Sequence, residues 1–192
     1  MKYLGVGLSR TGTTSLTEAL RILGHSAWHY CPEHFEPFVY GGDQTLDVFE
    51  QVDVVTDIPA ALLYREFKQR YPSLKVILTV RDEESWLRSL RSHYAFLHER
   101  IDTLKSDRKE WLHRFADDLQ AMVYGDINRE CLEFYRYHNE SVVEFFDSDD
   151  LLVMDITKGD GWDKLCPFVG VDSPADPFPH QNKMWKFNVP SL

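Results

Sequence analysis

The stretch GVGLSRTGTTSL, residues 5–16, decides the fold. Counted from Gly7, four residues separate it from a second glycine, Gly12, and Thr13-Thr14 follow. A nucleotide loop of the G-x-x-x-x-G-K-[ST] type would carry lysine where Thr13 stands. Ahead of the loop, KYLGVGL (2–8) is a short apolar run of the kind that forms a buried strand. Behind it, TTSLTEALRIL places Leu16, Leu20 and Leu23 at i, i+4 and i+7 on one helical stripe, and Gly24 supplies a stop. Strand, glycine turn and helix form the context that a phosphate-binding loop requires.

The same alternation continues along the chain. VDVVTDIP (52–59) reads as a second buried strand ending at Pro59, and AALLYREFKQRY (60–71) as an amphipathic helix. LKVILTV (74–80) has the β-branched, nearly uncharged character of a central parallel strand. Residues 83–147 are mostly helical in pattern, with polar breaks at Ser106-Asp107 and Gly125-Asp126. LLVMDI (151–156) is a final strand, WDKLCPFVG a short last helix, and the segment from Pro174 an extended proline-rich, aromatic tail. Strands alternating with helices predict an α/β fold: a doubly wound, P-loop-like parallel sheet flanked by helices, in one domain over residues 1–192. Ligands of such sheets sit beyond the carboxyl ends of the strands. The loop at 9–14, Asp57 and Arg81 all fall at strand ends, so the topology gathers them at one edge.

The totals narrow the ligand. Net charge is −10, which argues against a general affinity for nucleic acid or anionic membranes. An anionic ligand must then be held by a local cluster of positive groups. Cys31, Cys131 and Cys166 are far apart and odd in number, so neither a zinc site nor a disulfide framework is indicated. The apolar run near the N-terminus breaks at Ser9-Arg10, too early for a signal peptide, and no run approaches a membrane span. The cytoplasm is the expected compartment.

Backbone N–H groups in a glycine-rich turn ahead of a helix bind anions whatever the side chains are, and Thr13 and Thr14 add hydroxyl donors. The missing lysine argues against ordinary ATP-dependent phosphoryl transfer. Arg10, at the tip of the turn, brings a planar fork of donors instead. The bland alternative is a Gly-Thr turn with Arg10 exposed. A second signal is VILTVRDEESWLRSL (76–90), in which a buried strand ends on Arg81 and a helix capped by Asp82 carries Ser89 eight residues on. A strand-end arginine beside an anion loop is placed for a second phosphate. Local pairing of Arg81 with Asp82 or Glu84 is the competing reading.

Taken together, these residues resemble the sulfotransferases that use 3′-phosphoadenosine 5′-phosphosulfate (PAPS), in a compact branch with the pattern G-x-x-R-T-G-T-[TS]-S-L. The resemblance covers essentially the whole chain. It implies that Ser9, Arg10, Thr11, Gly12, Thr13, Thr14 and Ser15 bind the 5′-phosphosulfate, with Arg10 where many members carry lysine. It also implies that Arg81 and Ser89 bind the 3′-phosphate. GDGWDKLCPFVGV followed by PFPHQN resembles the carboxyl end of this branch. Adenosine 3′,5′-bisphosphate would be the product, and no metal would be required. Arg10 would stabilise charge on the sulfonate and the leaving oxygen during an in-line displacement.

A hydroxyl acceptor must lose a proton, and many cytosolic members use a histidine in a K-x-H-x-P stretch. The equivalent here is VTDIP, which puts Asp57 in the base position; helix capping before proline is its alternative role. His29, His138 and His180 are the substitutes if Asp57 is not the base. Cytosolic members also hold the 3′-phosphate with an R-K-G-x-x-G-D-W loop. Lys158-Gly159 with Gly161-Trp162 is similar but precedes the last helix, so Lys183 is the positional candidate. Trp162 reads as the anchor of that helix rather than as an adenine neighbour.

HYCPEHFEPFVY (29–40), after an edge strand, and the helical stretch over about 92–125 are expected to form the acceptor pocket and a lid, with Trp111 and Phe115 in the core. The acceptor is a small molecule or a carbohydrate that the sequence does not identify. A lysine-exchanged P-loop kinase and a non-catalytic nucleotide-binding module remain the rival functions.

Overall fold

A computed structural model describes residues 1–31, 34–42, 45–105, 107–127 and 130–180. Five strands, β1 (Tyr3–Gly5), β2 (Ala27–His29), β3 (Val54–Thr56), β4 (Lys75–Thr79) and β5 (Leu151–Met154), form one sheet in the order β2-β3-β1-β4-β5. Every pairing is parallel, with Leu4 opposite Val55 on one side and Val76 on the other. The strands are the cores of the runs read from sequence. Their carboxyl ends break off early because the chain there turns into the loops that build the site.

Alternation along the strands sends side chains to two cores, as a parallel sheet covered on both faces requires. Leu4, Val55, Val76 and Leu78 pack on one face with Phe49, Phe67, Trp86, Phe115 and Tyr124. Tyr3, Val54, Ile77 and Met154 pack on the other with Leu16 and Leu20 of helix α1 (Thr13–Ile22) and Leu165 of the last helix. The stripe predicted from Leu16 and Leu20 is therefore the buried face of α1.

The predicted helix at 60–71 divides into a 3-10 turn (Ala60–Leu63) and a short α-helix. The latter, Tyr64–Arg70, is α3, after α2 at Glu36–Tyr40. The long helical region becomes four helices: α4 (Glu83–Ala95), α5 (Leu97–Asp102), α6 (Lys109–Tyr124) and α7 (Cys131–Phe145). The break at Gly125 is where the sequence puts it; the break at Phe96 carries no glycine or proline and was not predicted. α8 (Trp162–Val169) follows β5. Among the described residues no helix is long and apolar enough to cross a membrane. Cys31, Cys131 and Cys166 are buried, and none is in a disulfide.

Candidate functional site

β1 is the middle strand, and chain order reverses around it, so its carboxyl end opens into the crevice of the sheet. The loop leaving it is pinned from below. Thr11 points inward: its hydroxyl donates to the Leu8 carbonyl at 2.7 Å and lies 2.6 Å from Thr79 Oγ1 at the end of β4. Gly7 is obligatory at this crossing, since a Cβ there would lie 1.9 Å from Thr79 Oγ1. Trp86 of α4 donates its indole N–H to the Ser9 carbonyl at 3.0 Å. Gly12, at φ +109°, turns the chain into α1. The first N–H groups of that helix, on Thr13, Thr14 and Ser15, have no intrahelical carbonyl to bond. Ser9, Arg10, Gly12, Thr13, Thr14 and Ser15 all line a cavity of about 740 Å³; Thr11, turned to the core, does not.

Asp57, just past β3, is 3% exposed and saturated with donors. Ser9 Oγ donates to Oδ1 at 2.6 Å, Thr13 Oγ1 to Oδ2 at 3.0 Å, and the Ile58 N–H to Oδ1 at 2.8 Å. His29 Nε2, at the end of β2, lies 3.1 Å from Oδ2. Burial opposes ionisation, but the hydrogen bond and charge of His29, with the bonds from Ser9 and Ile58, outweigh it and hold the carboxyl below its ordinary pKa. The carboxylate thus ties the ends of β1, β2 and β3 together. Capping does not account for it, since Pro59 occupies the cap position of the following 3-10 turn.

Arg10, Tyr30 and Asp57 are non-glycine residues with left-handed backbones, at φ +75°, +44° and +74°. Each lies just beyond a different strand, and each lines the cavity. Such conformations cost on the order of 1–3 kcal/mol apiece and persist where the surroundings over-determine them, commonly at functional sites.

Arg81 enters beyond β4. Its backbone N–H donates to the Tyr135 hydroxyl at 2.8 Å, and that hydroxyl donates back to the Arg81 carbonyl at 2.8 Å. The side chain donates from Nε to Ser85 Oγ at 2.9 Å and from a terminal nitrogen to the Arg10 carbonyl at 3.2 Å. Asp82 caps α4 by accepting from the Ser85 N–H at 3.0 Å, so it is not the ion-pair partner of Arg81. Ser89 does not line the cavity; it accepts from Arg10 Nε at 3.0 Å and so orients that side chain.

The opposite wall was largely missed by sequence reasoning. His93 and Tyr94 of α4, Leu97 and Arg100 of α5, and Ala116 and Leu119 of α6 line the same cavity as the loop. Burial, the Arg10 charge and the Arg100 charge depress the His93 pKa to about 4 against an opposing pull from Asp57, so the ring is neutral at neutral pH. Burial also lowers the Arg10 pKa, with Asp57 opposing and Arg100 and Arg81 adding to the effect. Among the described residues, none of Arg10, Arg81 and Arg100 forms an ion pair with a carboxylate. Three such arginines in one cavity of a chain of net charge −10 concentrate positive charge there.

The turn after β5 adds Ile156, Thr157, Lys158 and Gly159 to the lining, and His180 closes one side. Lys183 lies outside the described residues. His138 is no part of the site: it is buried, and its Nε2 lies 2.7 Å from the Val6 carbonyl. Trp162 anchors the tail, donating to the Asp176 carbonyl at 2.8 Å and packing edge-on to Phe178. Trp111 and Phe115 stack on each other at 5.1 Å away from the cavity, and Trp111 donates to Glu36 at 3.0 Å.

Fold and site together define an α/β protein of the phosphate-loop type with an arginine-lined cavity at the switch point of its sheet. A family model described as a sulfotransferase domain matches residues 2–187, and the chain belongs to that family. It is 28% identical over 210 residues to Ava biosynthesis cluster protein M of Aspergillus versicolor, across 94% of this chain and 80% of that protein. Membership supports transferase activity of the sulfotransferase type.

Proposed function

We propose that the protein moves a sulfuryl group from PAPS to a hydroxyl or amine of a small acceptor by in-line displacement, with residues 1–192 acting as one catalytic unit. The observation that carries this reading is the convergence of Arg10, the α1 N-terminus and Arg81 on one cavity, with no ion pair from either arginine to a carboxylate among the described residues. The donor set suits such a nucleotide. The N-terminus of α1, which begins at Thr13, the hydroxyl of Thr14 and Arg10 offer a site for the 5′ anion. Arg81, displaced toward β4, offers a separate site for a 3′-phosphate, and Lys158 is a third cation on the same side.

The bound donor supplies an activated sulfuryl group. The chain supplies the rest. Arg10, held by Ser89 and by its own constrained backbone, presents donors where charge develops, without reorganisation. Asp57, kept ionised by its hydrogen bonds, takes the acceptor proton at Oδ2, where the acceptor hydroxyl replaces Thr13 or His29 as donor. Its depressed pKa keeps it ionised, and so able to accept a proton, at neutral pH. The helical wall over about 92–125 excludes water and shapes the acceptor side.

Calorimetry with adenosine 3′,5′-bisphosphate and with ATP·Mg²⁺, in the presence and absence of EDTA, tests the reading. Metal-independent binding of the bisphosphate is expected, followed by transfer from labelled PAPS in an acceptor screen. Tight ATP·Mg²⁺ binding without bisphosphate binding would point to a kinase and overturn it.

A further inference from the structure

The two walls of the cavity carry positive charge for different reasons. On the sheet side, Arg10, Arg81 and Lys158 surround the loop. Arg100 lines the same cavity from α5, with Leu97 of that helix and Ala116 and Leu119 of α6, and its charge is felt at Arg10. Leu97, Ala116 and Leu119 are buried, at 7%, 4% and 1% exposure. Among the described residues the Arg100 side chain makes one hydrogen bond, from a terminal nitrogen to His93 Nδ1 at 3.4 Å, with a ring that carries no charge at neutral pH. No carboxylate among the described residues pairs with it. Arg100 is partly buried, and a guanidinium that meets one neutral acceptor keeps further N–H donors for an anion.

Apolar pockets with one charged group favour ligands that have an apolar body and one opposite charge. The sheet-side cations and the α1 N-terminus already match the anions of the donor, which leaves Arg100 for the acceptor. We propose that the acceptor is an amphipathic acid: a small hydroxy or amino compound whose aliphatic or aromatic body lies on Leu97, Ala116 and Leu119 and whose carboxylate is bound by Arg100. The assignment rests on the sulfotransferase reading, because it takes the sheet side as the donor's. It makes Arg100 a specificity-determining residue. Its fork of donors matches a carboxylate in two-bond geometry, which a neutral alcohol cannot exploit.

Matched acid and alcohol pairs test it: 3-phenylpropionate against 3-phenylpropanol, and octanoate against octanol. Each is titrated calorimetrically into the protein with and without saturating adenosine 3′,5′-bisphosphate. The expected result is an acid preference of roughly 10- to 100-fold in at least one pair, the range of a charge-assisted contact. Arg100→Gln should reduce that preference to within about twofold while leaving bisphosphate affinity unchanged, and Arg100→Lys should restore part of it. Three results would overturn the proposal: no acid preferred in either pair, a preference that survives Arg100→Gln, or a loss of bisphosphate affinity as the main effect of that variant. Failure of the wild-type protein to bind bisphosphate would instead remove the donor reading. The acid preference measured without nucleotide would still decide the role of Arg100.

Discussion

The cavity has one wall made of strand ends and one made of helices, and they are held by opposite means. On the strand side every functional side chain is fixed by directed bonds. Asp57 accepts from Ser9, Thr13 and Ile58 and meets His29, Arg10 is tied to Ser89, and Arg81 is tied to Ser85 and the Arg10 carbonyl. Three left-handed residues set the backbone there. On the helical side Leu97, Ala116 and Leu119 are placed by packing, and among the described residues the Arg100 side chain makes one hydrogen bond. Preorganised donors suit a step in which charge develops at a fixed point. A packed wall with one loosely held charge suits a partner that differs between related enzymes. The proposed function puts the chemistry on the first wall, and the proposed acceptor puts selectivity on the second.

Substitutions on the two walls should therefore fail differently. The largest effect is expected from Asp57→Asn, which should lower turnover on the order of 100- to 10,000-fold while adenosine 3′,5′-bisphosphate still binds. Single-turnover transfer beside calorimetry checks this, and a parallel loss of binding would make Asp57 a strut rather than a base. Arg10→Ala should come next, with turnover down roughly 100- to 1,000-fold, the range for removing one preorganised donor. If it raised only the Kd of the nucleotide, Arg10 would bind without catalysing. Ser89→Ala should be milder. One bond worth about 1 kcal/mol corresponds to roughly fivefold, and it should appear in kcat because Ser89 orients Arg10.

The helical wall has a pH signature of its own. His93 titrates at about 4 in the folded protein against 6.5 as its ordinary value. Between those values the unfolded chain binds the proton and the folded protein does not, so stability falls as pH falls from 6.5 toward about 4. Asp57, its pKa also lowered, adds a loss of the same sign at more acidic pH. Urea unfolding across this range should give a slope that His93→Gln flattens. An unchanged slope would mean that His93 is solvated and the wall more open than described.

The strand-end wall was legible in the sequence because its function depends on backbone course. Gly7, Gly12 and the Leu16–Leu20 stripe announce strand, turn and helix within a dozen residues, and Arg81 ends a run too apolar to be anything but a central strand. His93 and Arg100 gave no such signal. Spaced along a helical stretch rich in charge, they look like any solvated helix face. Only the turn at Phe96, unmarked by glycine or proline, brings α5 round so that Arg100 meets the cavity. Lys158 was set aside because its loop precedes α8, yet the turn after β5 places it on the lining. Ser89, expected as a phosphate ligand, accepts a hydrogen bond from Arg10, a relation between positions that spacing alone does not reveal.

The central claim is that the strand-end wall reads two separated anions on one nucleotide, and Arg81 tests it most directly. Affinities of adenosine 3′,5′-bisphosphate and adenosine 5′-monophosphate should be measured for the wild-type protein and for Arg81→Ala. The account predicts that the wild type prefers the bisphosphate by roughly 10- to 100-fold, and that the gap closes in the variant because only the 3′-phosphorylated ligand weakens. Equal wild-type affinities, or a gap that survives the loss of Arg81, would contradict it.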